Sequence, residues 1–93
     1  DAVLIQNPCA CTSLRGMASH VHYVEGRGDD ALATLRRFLT TLPRQPGFVS
    51  AELLWSEEQP GLYLVMSRWD RPASGLDVPD GVRGWAFETV DER

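Results

Sequence analysis

Apolar residues recur at helical spacing between Asp29 and Leu42, in the segment DDALATLRRFLTTL. They form one stripe made of Leu32, Leu35, Phe38, Leu39 and Leu42. This spacing predicts an amphipathic helix that buries one side against a sheet. Asp29 or Asp30 is expected to cap its N-terminus, and Pro43 is expected to end it.

The other apolar segments are short and rich in β-branched and aromatic residues, which is typical of strands. MASHVHYVEG precedes the helix, and its terminal glycine suits a turn. FVSAELLWS and LYLVMSRW flank EEQPG and predict a β-hairpin, and WAFETV predicts a last strand. Residues 70–84, DRPASGLDVPDGVRG, carry no helical stripe and are expected to form a loop. Residues 1–16 are expected to be an arm or an extra edge strand.

These elements predict an α+β fold with an antiparallel sheet and one main helix. Both hairpin strands carry apolar residues on both faces, and a single helix covers only one face. The face without a cover would hold Leu54, Leu62, Leu64 and Met66. A second copy of the sheet is the simplest cover, so the pattern predicts a homodimer.

Length and charge narrow the choice of function. A chain of 93 residues predicts a single domain spanning 1–93. The net charge is −4, from thirteen carboxylates and nine arginines without a basic run, which disfavours nucleic acid as a partner. No apolar run approaches the roughly 18 residues of a membrane span, so a cytoplasmic protein without membrane contact is expected. Cys9 and Cys11 are expected to be reduced, because a bridge at this spacing would be strained.

The order of these segments resembles the antibiotic biosynthesis monooxygenase family. The resemblance runs from about Ser19 to Trp69 and rests on an opening strand, a glycine turn into an amphipathic helix, PGFVSAELL, and GLYLVMSRWDRP with its strand-terminal tryptophan. It implies a ferredoxin-like protomer that pairs into a dimeric α/β-barrel, with a small-molecule pocket between sheet and helices. It also implies oxygenation of phenolic polyketides without metal or flavin, cleavage of haem, or cyclisation.

One departure from the family pattern bears on activity. A second helix usually follows the tryptophan, and here the segment DRPASGLDVPDGVRG stands in its place, so that helix is shortened or replaced by a loop. The histidine that holds haem iron in the haem-cleaving branch has no counterpart. Haem degradation is therefore disfavoured, and no cofactor is expected.

His20 and His22 share one face of the first predicted strand. A neutral imidazole is a suitable base for a phenolic or α-carbonyl proton, so both are candidate catalytic residues. The alternative is that they are partly exposed histidines at a sheet edge or subunit seam.

Aromatic side chains are the candidate substrate-binding groups, and they are Trp69, Tyr63, Tyr23 and Trp55. Trp69 offers a packing surface and one N–H donor, or alternatively closes the barrel as a core residue. Arg68 should point away from Trp69, with Ser50 directly across and Glu52 diagonal to it. It is a candidate catalytic residue that steadies a phenolate, and the alternatives are an ion pair in a dimer interface or at a solvated rim.

Two functions follow as expectations. The first is a cofactor-independent monooxygenase or cyclase acting on an aromatic, polyketide-like molecule in natural-product biosynthesis. The second is a non-catalytic small-molecule-binding or accessory barrel. A zinc site built from Cys9, Cys11, His20 and His22 is disfavoured because alternate strand residues diverge from one metal, so no metal site is predicted.

Overall fold

The structure of the protein is a computed structural model that describes residues 19–73 and 75–93. Residues 1–16, with Cys9 and Cys11, lie outside the described residues, as does Ser74. Strand β1 spans His20–Arg27, helix α1 spans Gly28–Thr41, and a 3-10 turn spans Leu42–Arg44. Strands β2, β3 and β4 span Phe48–Trp55, Leu62–Trp69 and Arg83–Glu88.

The four strands form one antiparallel sheet in the order β2-β3-β1-β4. The hairpin β2-β3 is adjacent in sequence, and β1 lies between β3 and β4. This order, with α1 connecting β1 to β2, is the ferredoxin-like arrangement. The predicted α+β fold, the hairpin and the single main helix are confirmed. Within residues 19–73 and 75–93, no helix is long and apolar enough to cross a membrane.

Leu35, Phe38 and Leu42 of the stripe predicted for helix α1 are buried, whereas Leu32 and Leu39 are half-buried, and Ala31, which the stripe did not include, is buried as well. The capping prediction was wrong, because the N-cap residue is Arg27 and no side chain caps this end. Asp29 and Asp30 instead lie in the first turn, where their charges complement the helix dipole. The backbone N–H of Gly28, at φ +90°, donates to the carbonyl of Gly61 at 2.8 Å, so the hairpin turn satisfies the first free amide of the helix.

The sheet has two unlike faces. The helix face packs against α1 and buries Val24, Val65 and Trp69 in the core with Leu35 and Leu42. The open face carries the alternate residues. Its apolar and aromatic members are Val21, Tyr23, Leu54, Leu62, Leu64, Met66, Trp85 and Phe87. No helix of the described part of the chain covers it.

A register shift in β2 lies between Phe48 and Ser50. It makes Val49 the extra residue of a bulge, and the pairing sets Phe48 opposite Trp69. The two rings meet edge to face, with centroids 5.5 Å apart. Simple alternation along β2 would place Val49 on the face of Trp69, and the bulge gives that place to Phe48.

The segment between β3 and β4, residues 70–82, stands where the family's second helix is expected. We call it the crossing segment. Its described residues contain no helix, as predicted. Ala73 is buried in the core, and Leu76, Val78 and Val82 pack against the core cluster. An extended segment therefore covers part of the helix face that α1 does not reach.

Candidate functional site

The two histidines of β1 lie on the helix face but differ in burial. His22 is only 4% exposed and pairs in register with Ser67 of β3 and Ala86 of β4. His20 is half-buried at the end of the strand, between Trp69 and Glu88 in register. The shared face follows from the period of a strand. The structure singles out His22 as the histidine enclosed by the protein.

The imidazole of His22 is electrostatically unusual. Its Nδ1 atom is buried and has no hydrogen-bond partner among the residues that the structure describes. Burial lowers the pKa of His22 below the ordinary histidine value, since charging the ring would leave a cation in a poorly solvated place. His22 is therefore neutral at pH 7. An unpartnered nitrogen on a neutral, desolvated ring can take part in proton transfer with a molecule that reaches it.

The imidazole of His22 packs against β4 at Gly84, a position that has no side chain. A Cβ atom at Gly84 would lie 3.1 Å from Cε1 of His22 and 2.8 Å from Cγ2 of Val78. The imidazole and Val78 therefore both lie over the same backbone position. Val78 belongs to the crossing segment, so this segment packs on the sheet next to the position of His22. Because Nδ1 is buried, a substrate can reach it only if neighbouring residues move.

Trp69 is fully enclosed on the same face, at 1% exposure. Its indole Nε1 donates to Oγ of Ser67 at 2.8 Å. The Ser67 hydroxyl in turn donates a long hydrogen bond to the backbone carbonyl of His22, at 3.4 Å. The indole N–H is therefore used within the protein. Contact of the Trp69 ring with a substrate stays a prediction, and in this conformation its neighbours are protein atoms.

Arg68 and Tyr23 occupy the open face, on the other side of the sheet from His22. Arg68 is exposed, with Ser50 across from it, and Glu52 pairs with the next residue along that face, as alternation predicts. Tyr23 meets Phe87 edge to face, with ring centroids 5.4 Å apart. The structure does not bring these two predicted residues together with the histidines.

Tyr63 and Trp55 are directly paired near the other end of the sheet. Tyr63 is half-buried and packs against the core cluster, whereas Trp55 is 69% exposed. Tyr63 pairs with Gly26 across β1, four residues along the strand from His22. The predicted substrate-binding aromatics are thus spread over the sheet and do not form one cluster around His22.

A cleft of about 410 Å³ lies between α1 and the crossing segment. Its helix side includes Arg37 and Phe38, and its other wall includes Leu76, Asp77 and Pro79. Sequence reasoning missed this cleft. Arg37 lies off the apolar stripe and reads as a solvated helix residue, and only the folded path of the crossing segment sets Asp77 near it.

The residues that the structure describes contain no group of three or more His, Cys, Asp or Glu side chains arranged to hold a metal ion. Two of the four residues weighed for zinc, Cys9 and Cys11, lie outside the described residues. On the helix face, among the described residues, the buried titratable side chain is that of His22. Its imidazole can exchange a proton with an enclosed ligand.

Fold and site together define a small ferredoxin-like α+β protein with a neutral histidine enclosed between its sheet and a crossing segment. The family model described as antibiotic biosynthesis monooxygenase matches residues 20–76, which is more than half of the chain. The protein belongs to this family. The matched range begins with β1 and ends inside the crossing segment, so β4 with Gly84 lies beyond it. No curated protein and no solved structure gives a significant match.

Proposed function

We propose that the protein is a cofactor-independent monooxygenase or cyclase acting on an aromatic, polyketide-like small molecule in natural-product biosynthesis. Membership of a monooxygenase family supports small-molecule oxygenation. The observation that carries the proposal is the buried, unpartnered Nδ1 of His22, a neutral base in a water-poor place. The cytoplasm, predicted from the sequence, is the proposed compartment.

In the proposed reaction His22 removes a phenolic or α-carbonyl proton from the substrate. The resulting anion is electron-rich at carbon, so it reacts with dioxygen or attacks an electrophile within the same molecule. In oxygenation one oxygen atom enters the substrate and the other leaves as water, with the substrate supplying the electrons. His20 lies on the same face at the strand end and is the alternative base.

The same proposal divides the other candidate site residues into two groups. Trp69, Tyr63 and Trp55 lie on the helix face; Trp69, next to the histidines in register, would contact the substrate ring, and Tyr63 and Trp55 would contact the distant end of an extended polyketide-like substrate. Arg68 and Tyr23 lie on the open face, so we propose that they act in contact with a second copy of the chain. A homodimer joined through the open faces would enclose Arg68 with Glu52 in its interface.

Oxygen uptake with an anthrone-type phenol tests the function. The wild-type protein should consume oxygen in proportion to product formed, and His22→Gln should reduce the rate by about 10²-fold or more, the size of a general-base effect. His20→Gln tests the alternative base on the same strand, and it should retain most of the rate if His22 is the base. Equal rates for wild type and His22→Gln would exclude His22 as the base.

A non-catalytic ligand-binding barrel is the second candidate. It is favoured by the burial of His22 and by the indole N–H of Trp69, which is already donated to Ser67. In this case the phenol should bind without oxygen uptake or cyclised product. A variant carrying Trp55→Phe and Trp85→Phe leaves Trp69 as the only indole, so ligand-dependent quenching of its fluorescence reports whether Trp69 lines the binding site.

A further inference from the structure

The cleft between α1 and the crossing segment is separate from the enclosure of His22. Asp77 and Pro79 line the cleft, whereas Val78 between them approaches Gly84 beside the imidazole. The crossing segment therefore presents alternate side chains to two different places. A ligand in the cleft would therefore touch the same segment that packs on the sheet at Gly84.

The floor of the cleft is formed by apolar side chains that the core holds in place. Phe38 is 5% exposed and Leu42 is 1% exposed, so both are fixed in the core beneath the cleft. Leu76 and Pro79 form the opposite apolar wall. A volume of about 410 Å³ lies in the range of small-molecule sites, and rigid apolar surfaces of this kind accept a flat ring system.

Two opposite charges line the same cleft. Arg37 donates a long hydrogen bond of 3.4 Å from Nη2 to Oγ1 of Thr34. Its other N–H groups remain available to donate to a ligand. Asp77 offers carboxylate oxygens from the facing wall. Among the described residues no ion pair joins Arg37 to Asp77. A ligand that bridges the cleft would meet a cation on one wall and an anion on the other.

We propose that this cleft binds a small ring compound carrying an anionic group at one end and a hydrogen-bond donor at the other. The anion, a carboxylate or phenolate, pairs with Arg37, the donor bonds to Asp77, and the ring lies on Phe38 and Leu76. Guanidinium groups bind carboxylates with two parallel hydrogen bonds, so Arg37 sets the orientation. This site goes beyond the proposed function, because its lining does not include His22.

Three naphthalene probes test the site by titration calorimetry on the full chain. Hydroxynaphthoate carries both groups, naphthoate carries the anion alone, and naphthol is neutral at pH 7. We expect hydroxynaphthoate to bind most tightly. Arg37→Gln should weaken both acids about five- to tenfold, the loss of one partly exposed charge-assisted contact, and should leave naphthol unchanged.

Arg36→Gln is the matched control, because Arg36 is the neighbouring exposed arginine and does not line the cleft. It should change none of the three affinities. Asp77→Asn should strengthen naphthoate binding, since a repelling carboxylate is removed, and should weaken naphthol binding. Amide NMR shifts on adding hydroxynaphthoate should concentrate at Thr34 and Leu76.

The proposal is overturned if none of the probes binds at millimolar concentration, if Arg36→Gln and Arg37→Gln have equal effects, or if the NMR shifts map away from the cleft. Binding is measured without oxygen, so it does not depend on turnover. Loss of binding with intact oxygen uptake would reject the cleft site alone, and binding without oxygen uptake would reject the proposed reaction alone.

Discussion

At the scale of single residues, the notable feature is that the titratable imidazole of His22 is buried. Nδ1 has no hydrogen-bond partner within residues 19–73 and 75–93, and the ring packs against Gly84 of β4. His20 on the same strand is half-buried at its end. The carboxylate nearest to this pair in the strand register is Glu88, which stands opposite His20 and not opposite His22.

This burial predicts a pH-dependent stability. The unfolded chain gives His22 an ordinary pKa of 6.5, and desolvation lowers the pKa in the folded protein. Between the two values the unfolded state holds more protons, so the free energy of unfolding should fall as pH drops below about 7, and His22 should add no further loss below its folded pKa. His22→Leu should reduce this decline in urea titrations at successive pH values, whereas His20→Leu should retain it. A decline of equal size in His22→Leu would contradict the assignment.

Ser67 gives a second prediction at this scale. Its Oγ accepts the indole N–H of Trp69 at 2.8 Å in a place that is closed to water. Ser67→Ala leaves that N–H unsatisfied, so it should lower the free energy of unfolding by about 1–3 kcal/mol. Ser50→Ala on the exposed side of β2 is the control and should change stability by about 0.5 kcal/mol or less. A null effect at Ser67 would show that water reaches the indole.

Part of this site could be predicted from the sequence. Alternation along one strand is enough to set His20 and His22 on one face and Arg68 opposite Trp69, and the structure has both arrangements. The difference in burial between the histidines could not be predicted, because it depends on Gly84 and Val78, which are far along the chain. The bulge at Val49 was also missed, since no glycine marks it.

At the scale of elements, the crossing segment stands where the family's second helix is expected. Two of its side chains pack over glycines of the sheet. Gly26 of β1 has Val82 Cγ1 at 2.8 Å from the position of an added Cβ, and Gly84 of β4 has Val78 Cγ2 at the same distance. The sequence predicted a loop from its proline and glycine content. It did not indicate that valines of this loop pack directly on the strands, because that packing depends on which strand positions lack a side chain.

Gly84→Ala tests this fit. The new methyl group would collide with Val78 and crowd His22, so stability should fall by about 1–3 kcal/mol, the usual cost of overpacking. Combining it with Val78→Ala should recover part of the loss, giving a negative interaction term in a double-mutant cycle. Gly75→Ala is the control, because nothing lies within 4 Å of its added Cβ. Strict additivity of the two substitutions would show that Val78 does not lie over Gly84.

At the scale of the whole molecule, the open face carries large apolar side chains that the described residues leave exposed. Phe87 is 53% exposed, Trp85 is 43% exposed and Leu54 is 39% exposed. Exposed apolar area of this kind marks an interaction surface, and two copies of one antiparallel sheet are self-complementary. The apolar pattern of the hairpin strands predicted the part of this surface that includes Leu54, whereas the contribution of Trp85 and Phe87 from β4 was not predicted.

The homodimer proposed through this face predicts that a charge introduced on the β4 part of the face separates the protomers without unfolding them. Light scattering at tens of micromolar should give wild type twice the 10.4 kDa mass of one chain and Phe87→Asp the mass of one. Phe87 is already half-exposed in the protomer, so the helix-face core and the pH dependence of His22 should persist in the variant. Val90→Asp is the matched control, because Val90 is 98% exposed and follows the end of β4. A monomeric wild type would show that the open face has another cover, and a dimeric Phe87→Asp would place the interface elsewhere.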